Sequence, residues 1–329
     1  MRVIAIEEHY ATQGFMAGPG RRISEQADAA KAHPLVAAGF DRLVRQLCDL
    51  DDGRIADMNA AGIDVQVLSL TTPGVEQADP ADALALARDS NDQLAAAVGR
   101  HPDRFAGFAA LPTGIPDEAA DELTRTVEDY RFRGALINGH NHGRYLDDEF
   151  FWPILERAEA LDVPIYLHPT LPPHAEDQYA GNFSSGTAAA FATAAWGWHL
   201  DTATHAVRLI LSGVFDRYPR LQVIIGHMGE VLPVMLPRLE QALPRQVSEL
   251  NRPVGDYMRQ NLHYTFSGFH SVPAFLTLFL QIGAERIMFS TDYPYGSLSQ
   301  AKAFLDHLPA GALDRERIAH RNAEELLQL

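Results

Sequence analysis

The sequence predicts a single (β/α)8 barrel, a TIM barrel, over residues 1–329, with long insertions after its first and fifth strands. Three observations predict it. Eight short apolar runs recur along the chain, each followed by a connection long enough to cross between parallel strands. Residues able to do chemistry collect at the C-terminal ends of those runs, the rim on which barrel active sites lie. No Gly-x-Gly-x-x-Gly follows a strand and no Walker sequence occurs, so the competing open doubly wound sheet lacks its nucleotide-binding signatures.

Each run can be justified in order. The first, Val3 to Ile6, leads into Glu7, Glu8 and His9. Ala11 to Ala38 is rich in Gly, Ser and Ala and too long for an ordinary connection, which predicts a functional loop or an oligomer contact. Phe40 to Ala61 reads as a helix stopped by Gly62. Val65 to Leu70 is a strand broken by Thr71-Thr72-Pro73-Gly74. Pro80 to Arg100 is an amphipathic helix, with Leu84, Ala87, Asn91, Leu94 and Val98 on one face. Phe105 to Leu111 is a strand closed by Pro112, and Asp117 to Tyr130 a helix whose acidic first turn suits its dipole.

Gly134 to Asn138 forms the fourth strand, before the loop His140-Asn141-His142, and Glu149 to Leu161 a helix. Pro164 to Leu167 is a strand ending in His168-Pro169. Thr170 to Ala190 is again irregular, and a helix follows over about 193–215. Val223 to Gly226 ends in His227-Met228-Gly229-Glu230, with helix resuming over Val231 to Leu243. Leu262 to Phe266, the helix Val272 to Ile282, and Ile287 to Ser290 before Thr291-Asp292-Tyr293-Pro294 complete the pattern.

Composition narrows the function. The chain is 47% hydrophobic, enough for a large core, and no apolar run approaches the ~20 residues of a membrane span. A net charge of −16 without a basic cluster argues against nucleic acid and anionic membranes as partners. Arg2 and the abrupt acidic pair do not make a signal peptide. The single cysteine, Cys48, excludes an internal disulfide framework and a Cys-rich zinc site, and makes the cytoplasm the expected compartment.

Side chains alternate faces along a strand, which puts Glu7 and His9 on one face with Val3 and Ala5, and Glu8 on the other with Ile4 and Ile6. The same alternation sets Tyr166 with His168, Val223 and Ile225 with His227, and Met288 and Ser290 with Asp292. Closing a barrel brings the first and eighth strands together, so Asp292 can meet Glu7 and His9. Imidazoles and carboxylates in one set suit zinc or manganese better than calcium. His140 and His142 lie past Gly139 in a loop, which gives them a substrate-side or solvated place. His199 and His205 read as structural residues of a helix, His101 and His320 as surface residues.

Glu7-x-His9, His168-Pro169, Gly226-His227-Met228-Gly229-Glu230 and Ser290-Thr291-Asp292-Tyr293-Pro294 resemble the amidohydrolase superfamily. The likeness is closest to its decarboxylase branch: γ-resorcylate, 2,3-dihydroxybenzoate and 5-carboxyvanillate decarboxylases, and more distantly aminocarboxymuconate-semialdehyde decarboxylase. It extends through Leu68-Ser69-Leu70, 104–112 and 134–139, and is weakest over 11–38 and 170–195, where substrate choice would be made. The resemblance implies metal ligands Glu7, His9, His168 and Asp292 around one divalent ion, zinc or manganese. It implies His227 and Glu230 as nearby active-site residues, Asp292 as proton donor, and Asn138 and Trp196 as substrate contacts. It also implies a homodimer or homotetramer.

Hydrolytic members of that superfamily commonly open with His-x-His and bridge two metals with a carboxylated lysine from the fourth strand. Here the first ligand is Glu7, the fourth strand ends in Asn138, and the only lysines are Lys31 and Lys302. A mononuclear site is expected, and with it reversible, non-oxidative decarboxylation of a phenolic carboxylic acid. The alternatives are a mononuclear hydrolase of a lactone or amide, a hydratase, or a catalytically silent barrel that binds or assembles.

Overall fold

The computed structural model describes residues 1–23, 25 and 34–329. Eight parallel strands appear in chain order: β1 Ile4–Tyr10, β2 Val65–Leu70, β3 Phe105–Gly107, β4 Ala135–Asn138, β5 Ile165–His168, β6 Val223–Ile225, β7 Leu262–Thr265 and β8 Ile287–Met288. They form two arcs, β1-β2-β3 and β4 to β8. Backbone bonds join the arcs at both seams. Ala109 accepts from Leu136 N and donates to Gly134 O, and Ile6 N and His9 N donate to Phe289 O and Tyr293 O. The strands therefore close into the predicted barrel.

The interior is filled by one apolar set: Ile4, Ile6, Val65, Val67, Ala106, Phe108, Leu136, Tyr166, Ile224 and Met288. Ala323 and Leu327, from the terminal helix Asn322–Leu327, pack into the same cluster. The larger core lies outside the strands, between them and the helices, and includes Val3, Ala5, Leu68, Leu70, Val223 and Ile225. Alternate residues of each strand thus serve two separate cores.

The predicted helices Pro80–Arg100 and Val272–Ile282 are present over those bounds. The stretch read as one helix over Phe40 to Ala61 is two, Pro34–Cys48 and Asp52–Ala61. The chain turns between them where Asp49 Oδ1 accepts from Asp51 N at 2.9 Å, a local bond that competes with the helix. The segment read as irregular after β1 holds a short helix, Gln13–Ala17, whose Thr12 side chain caps Phe15 N. Residues 24 and 26–33, most of the rest of that insertion, lie outside the described residues. The insertion after β5 holds two short helices, Ala175–Gln178 and Ser185–Ala192, before the helix Gly197–Leu211. Among the described residues, no helix is long and apolar enough to cross a membrane.

Candidate active site

The rim chemistry begins with a defect in β1. Ile6 pairs with Val67 and Glu8 with Leu68, so Glu7 is an extra residue, and its φ is 71°. Ile4 and Ile6 face the barrel interior, and Val3 and Ala5 face the outer core. Strict alternation would therefore send Glu7 outward and Glu8 inward, the reverse of what the site needs. The bulge resets the phase. Glu7 and His9 turn inward, while Glu8 turns to the seam with β8 and accepts from Thr291 N at 2.8 Å and from Gln66 Nε2 at 3.1 Å. The expectation that Glu7 and His9 share the site face holds, but the face is that of Ile4 and Ile6. Burial pushes the Glu8 carboxyl up to about 8, against the pull of its Thr291 bonds.

Strand β6 shows a second departure. Val223 and Ile225 point to the outer core and Ile224 inward, so alternation does not deliver His227. A turn does. His227, Met228, Gly229, Glu230 and Val231 all have left-handed φ, between 49° and 83°. Non-glycine residues adopt this conformation at a cost, and such runs persist where surrounding contacts hold them. On β5 alternation works as expected: Tyr166 is interior and His168 reaches the rim. On β8 Met288 is interior, but the strand ends there, and Asp292 reaches the rim from the turn that follows, with φ 61°.

The four expected ligands meet. One donor atom each from Glu7, His9, His168 and Asp292 lies within 4.8 Å of the other three. His168 Nε2 is 3.4 Å from Glu7 Oε1, and His9 Nε2 is 3.2 Å from Asp292 Oδ1. Glu7 Oε1 and His9 Nε2 are buried and complete no hydrogen bond. Unpaired buried lone pairs at one point are what a cation would satisfy, and two nitrogens with two oxygens suit a single zinc or manganese ion.

Glu7 is held from behind. Tyr166 OH and Ser267 Oγ donate to its Oε2, with Thr265 Oγ1 at 3.4 Å. These hydroxyls bond one another, Tyr166 to Thr265 at 2.6 Å and Thr265 to Ser267 at 2.6 Å. Gly226 faces them, and a Cβ there would lie 2.8 Å from Glu7 Oε2 and 2.9 Å from Ser267 Oγ. Burial raises the Glu7 carboxyl, but the imidazoles of His227, His168 and His9 outweigh it and hold the group below its ordinary value. Sequence reasoning used Tyr166 only as a marker of parity and passed over Thr265 and Ser267. Hydroxyl residues on β5 and β7, in the phase of the interior set, were the available signal.

His227 and Glu230 form the expected pair, Nδ1 to Oε1 at 2.7 Å. His227 Nε2 faces Glu7 Oε1 at 3.9 Å. Glu230 carries a second imidazole that sequence reading treated as structural: His199 Nδ1 lies 2.5 Å from Glu230 Oε2. Burial opposes charge on both sides, yet the pairing wins, so Glu230 is held below and His227 above their usual ranges. His199 occupies the first turn of Gly197–Leu211, and helices in this fold start at the rim, which is the signal that could have placed it.

Of the expected substrate contacts, Asn138 is 2% exposed, and both ends of its amide are engaged by protein: Oδ1 with His168 Nδ1 at 3.0 Å and Nδ2 toward Glu76 Oε1 at 3.5 Å. Trp196 is 47% exposed beside the helix that carries His199, so packing does not account for it. His140 is a structural tie, its Nδ1 accepting from Gly143 N and its Nε2 beside Leu171 O, each at 3.0 Å. His205 accepts from Leu146 N at 2.9 Å. His101 and His320 pair with Asp51 and Glu324 near the surface.

A closed β/α barrel with a buried two-histidine, two-carboxylate cluster at its carboxyl rim has the architecture of a mononuclear metal enzyme. The chain belongs to the amidohydrolase family, whose profile matches residues 21–329. It is 38% identical to the γ-resorcylate decarboxylase of Rhizobium radiobacter over 99% of this chain and 98% of that one. Among solved structures, it is similar to a dihydroxybenzoic acid decarboxylase from Polaromonas sp. with bound manganese and the inhibitor 2-nitroresorcinol. That match has 36% identity and a TM-score of 0.88, covering 100% of this chain and 97% of that one. A 5-carboxyvanillate decarboxylase from Novosphingobium aromaticivorans, complexed with manganese and 4-hydroxy-3-methoxy-5-nitrobenzoic acid, has 33% identity and a TM-score of 0.90. It covers 100% of this chain and 96% of that one.

Proposed function

We propose that this chain is a metal-dependent, non-oxidative and reversible decarboxylase of a hydroxybenzoic acid, with residues 1–329 as one catalytic unit. Glu7, His9, His168 and Asp292 would hold one divalent ion, manganese or zinc. When bound, that ion supplies positive charge that anchors and stabilises an anionic phenolic acid.

The observation that carries the reading is the unequal exposure of the cluster. The side chains of Glu7 and His9 are 0% and 1% exposed, whereas that of Asp292 is 20% exposed. Asp292 is the ligand that also faces incoming substrate. Its carboxylate takes the proton that the substrate phenol releases on binding. It then gives that proton to the ring carbon bearing the carboxylate, forming a C–H bond from a pair of ring π electrons. The C–C bond to the carboxylate breaks, its electron pair restores aromaticity, and CO2 leaves. Asp292 ends ionised, and the phenol regains its proton as product departs. His227, charged against Glu230, orients the anionic end of the substrate, and His199 fixes the far side of Glu230. Trp196 stands where a ring contact is available. Full-length likeness to decarboxylases supports this chemistry over hydrolysis.

The test is to strip the protein with a chelator and measure CO2 from 2,6-dihydroxybenzoate, 2,3-dihydroxybenzoate and 5-carboxyvanillate, with products identified. Metal-dependent release of CO2 and the matching phenol is expected. Full turnover by metal-free protein, or a ring-opened acid as product, would overturn the proposal.

An assembly of two or four copies fits an apolar stripe on Val272–Ile282, formed by Val272, Leu276 and Leu280, the last 80% exposed. Val234 and Met235 extend it from the adjoining helix Leu232–Ala242. Light scattering coupled to size exclusion should give a mass of two or four times 36.3 kDa, and Leu280→Lys should lower it. Cys48 is exposed and unpaired, which agrees with a cytoplasmic setting.

A further inference from the structure

Behind the metal cluster lies a buried carboxylate that the mechanism does not use. Glu76 follows the turn after β2 and is 2% exposed. Its Oε1 accepts from Asn138 N at 2.7 Å and faces Asn138 Nδ2 at 3.5 Å. Its Oε2 is buried with no hydrogen-bond partner. Burying a carboxylate without an opposite charge is costly, so a core role does not explain it. Burial alone pushes it up to about 7, against the bonds it accepts from Asn138.

We propose that Glu76 is a positioning residue for the metal site: it fixes the Asn138 amide, and Asn138 in turn holds the His168 imidazole with Nε2 free to ligate. The inference rests on the metal-site reading above. A planar amide has two orientations. With Nδ2 turned to the carboxylate, Oδ1 must face His168, and Oδ1 is 3.0 Å from His168 Nδ1. That nitrogen also lies 2.9 Å from Pro169 O, so it sits between two acceptors and must carry the ring proton. The lone pair is then on Nε2, which faces Glu7 Oε1 at 3.4 Å. Carboxylates or carbonyls commonly orient a ligating histidine from behind; here an amide stands between the carboxylate and the ring.

The turn is shaped around this contact. Gly74 has φ 66°, and a side chain on it would run into both Glu76 Oε2 and Asn138 Nδ2. The two atoms therefore converge on one point that glycine leaves open.

The change Glu76→Leu tests the chain of contacts. It removes the oxygen that faces Asn138 Nδ2, so nothing holds the Asn138 amide against a rotation that turns Nδ2 toward the His168 Nδ1 proton and disfavours the ligating tautomer. Metal-free protein is titrated with Mn2+ alone, and free Mn2+ is read by electron paramagnetic resonance. Wild type, E76L, N138A and the double variant are compared. E76L should bind about 10–100-fold more weakly. The double variant should bind no more weakly than N138A, because Glu76 acts through Asn138. In the metal-free protein, 15N shifts of His168 should report the Nδ1–H tautomer in wild type and a mixture in E76L.

Should E76L fail to fold, Glu76→Asp keeps the charge while withdrawing it from Asn138 and should show the same loss. Wild-type affinity in folded E76L, or additive losses in the double variant, overturns the inference alone. Wild-type protein that binds no Mn2+ overturns the metal-site reading and the inference with it. Neither outcome depends on substrate.

Discussion

Strands β1 and β5 each deliver a histidine to the same cluster, and they do so in opposite ways. On β5 the backbone is regular. Tyr166 lies in the interior, His168 follows two residues later on the same face, and both are read correctly by alternation. On β1 an inserted residue in left-handed conformation shifts the phase, so that Glu7 enters the site and Glu8 becomes a tie to β8. A regular strand turns every second residue inward, as Tyr166 and His168 show. The bulge places two consecutive residues, Ile6 and Glu7, on the inner side and restarts the alternation, so that His9 follows Glu7 into the cluster. A carboxylate and an imidazole from a single strand can therefore meet one ion, and β5 supplies the opposite wall.

Removing the bulge would break this comparison most directly. The register on either side of Glu7 is already continuous, Ile6 to Val67 and Glu8 to Leu68. Deleting Glu7 should leave a folded barrel with His9 in place and no carboxylate from β1, and should abolish both stoichiometric metal and turnover. Circular dichroism, metal analysis and CO2 release check this; retained metal would show that Glu8 can substitute. Asp292→Asn should cut turnover by at least about 10³-fold, an amide being unable to take up and deliver the proton. Metal content, measured in parallel, separates lost chemistry from lost ligand.

Smaller changes sharpen the same contrast. Gly226→Ala, directly after β6, would push a methyl group against Glu7 Oε2 and Ser267 Oγ. It should weaken Mn2+ binding about 10–100-fold, while thermal melting moves little. Tyr166→Phe removes one of the hydroxyls that hold Glu7 and leaves Ser267 and Thr265, so its effect should be smaller, about 10-fold. If Tyr166→Phe proves the more damaging of the two, the hydroxyl network acts through Tyr166 and not through the space that Gly226 keeps.

The contrast also marks what a sequence can reveal. The eight strands were readable because each is a short apolar run ending in a residue that changes character, such as His168 or Asn138. Their closure followed from count and connection length. The bulge was not readable, since nothing local to Ile6-Glu7-Glu8 requires φ 71° at Glu7; the ladder to β2 and the seam with β8 impose it. Alternation puts Glu7 in the cluster only because two departures cancel: the interior face is that of Ile4 and Ile6, not of Val3 and Ala5, and the strand is bulged, not regular. Alternation also sets His227 with Val223 and Ile225, which face the outer core; the left-handed turn after β6, not phase, brings it to the rim. Asn138 drew attention for its position, but its amide is occupied by Glu76, which sits 62 residues away and had no local signature.

Two histidines six positions apart on the helix Gly197–Leu211 carry the comparison into pH. His199 meets Glu230: burial pulls its pKa down, but the carboxylate prevails and the net shift is upward. His205 meets no carboxylate, and burial takes it down to about 3 while its Nε2 accepts from Leu146 N. The signs are opposite. His205 stays neutral when folded but binds a proton when unfolded below about pH 6.5, so stability is full above that value and erodes as pH falls toward 3. His199 holds its proton more tightly when folded, so its contribution is present below about 6.5 and is lost as pH rises through its raised value. His205→Gln retains an acceptor for Leu146 N and cannot titrate. Between pH 6.5 and 4.5 it should flatten the loss of unfolding free energy by roughly 2 kcal/mol, read from denaturant melts at each pH. It should leave the alkaline side unchanged, because that limb belongs to His199 and His227, the two imidazoles paired with Glu230. An acid limb as steep in His205→Gln as in wild type would place the titrating group elsewhere, with His263 the next to test, since burial also takes it down to about 3.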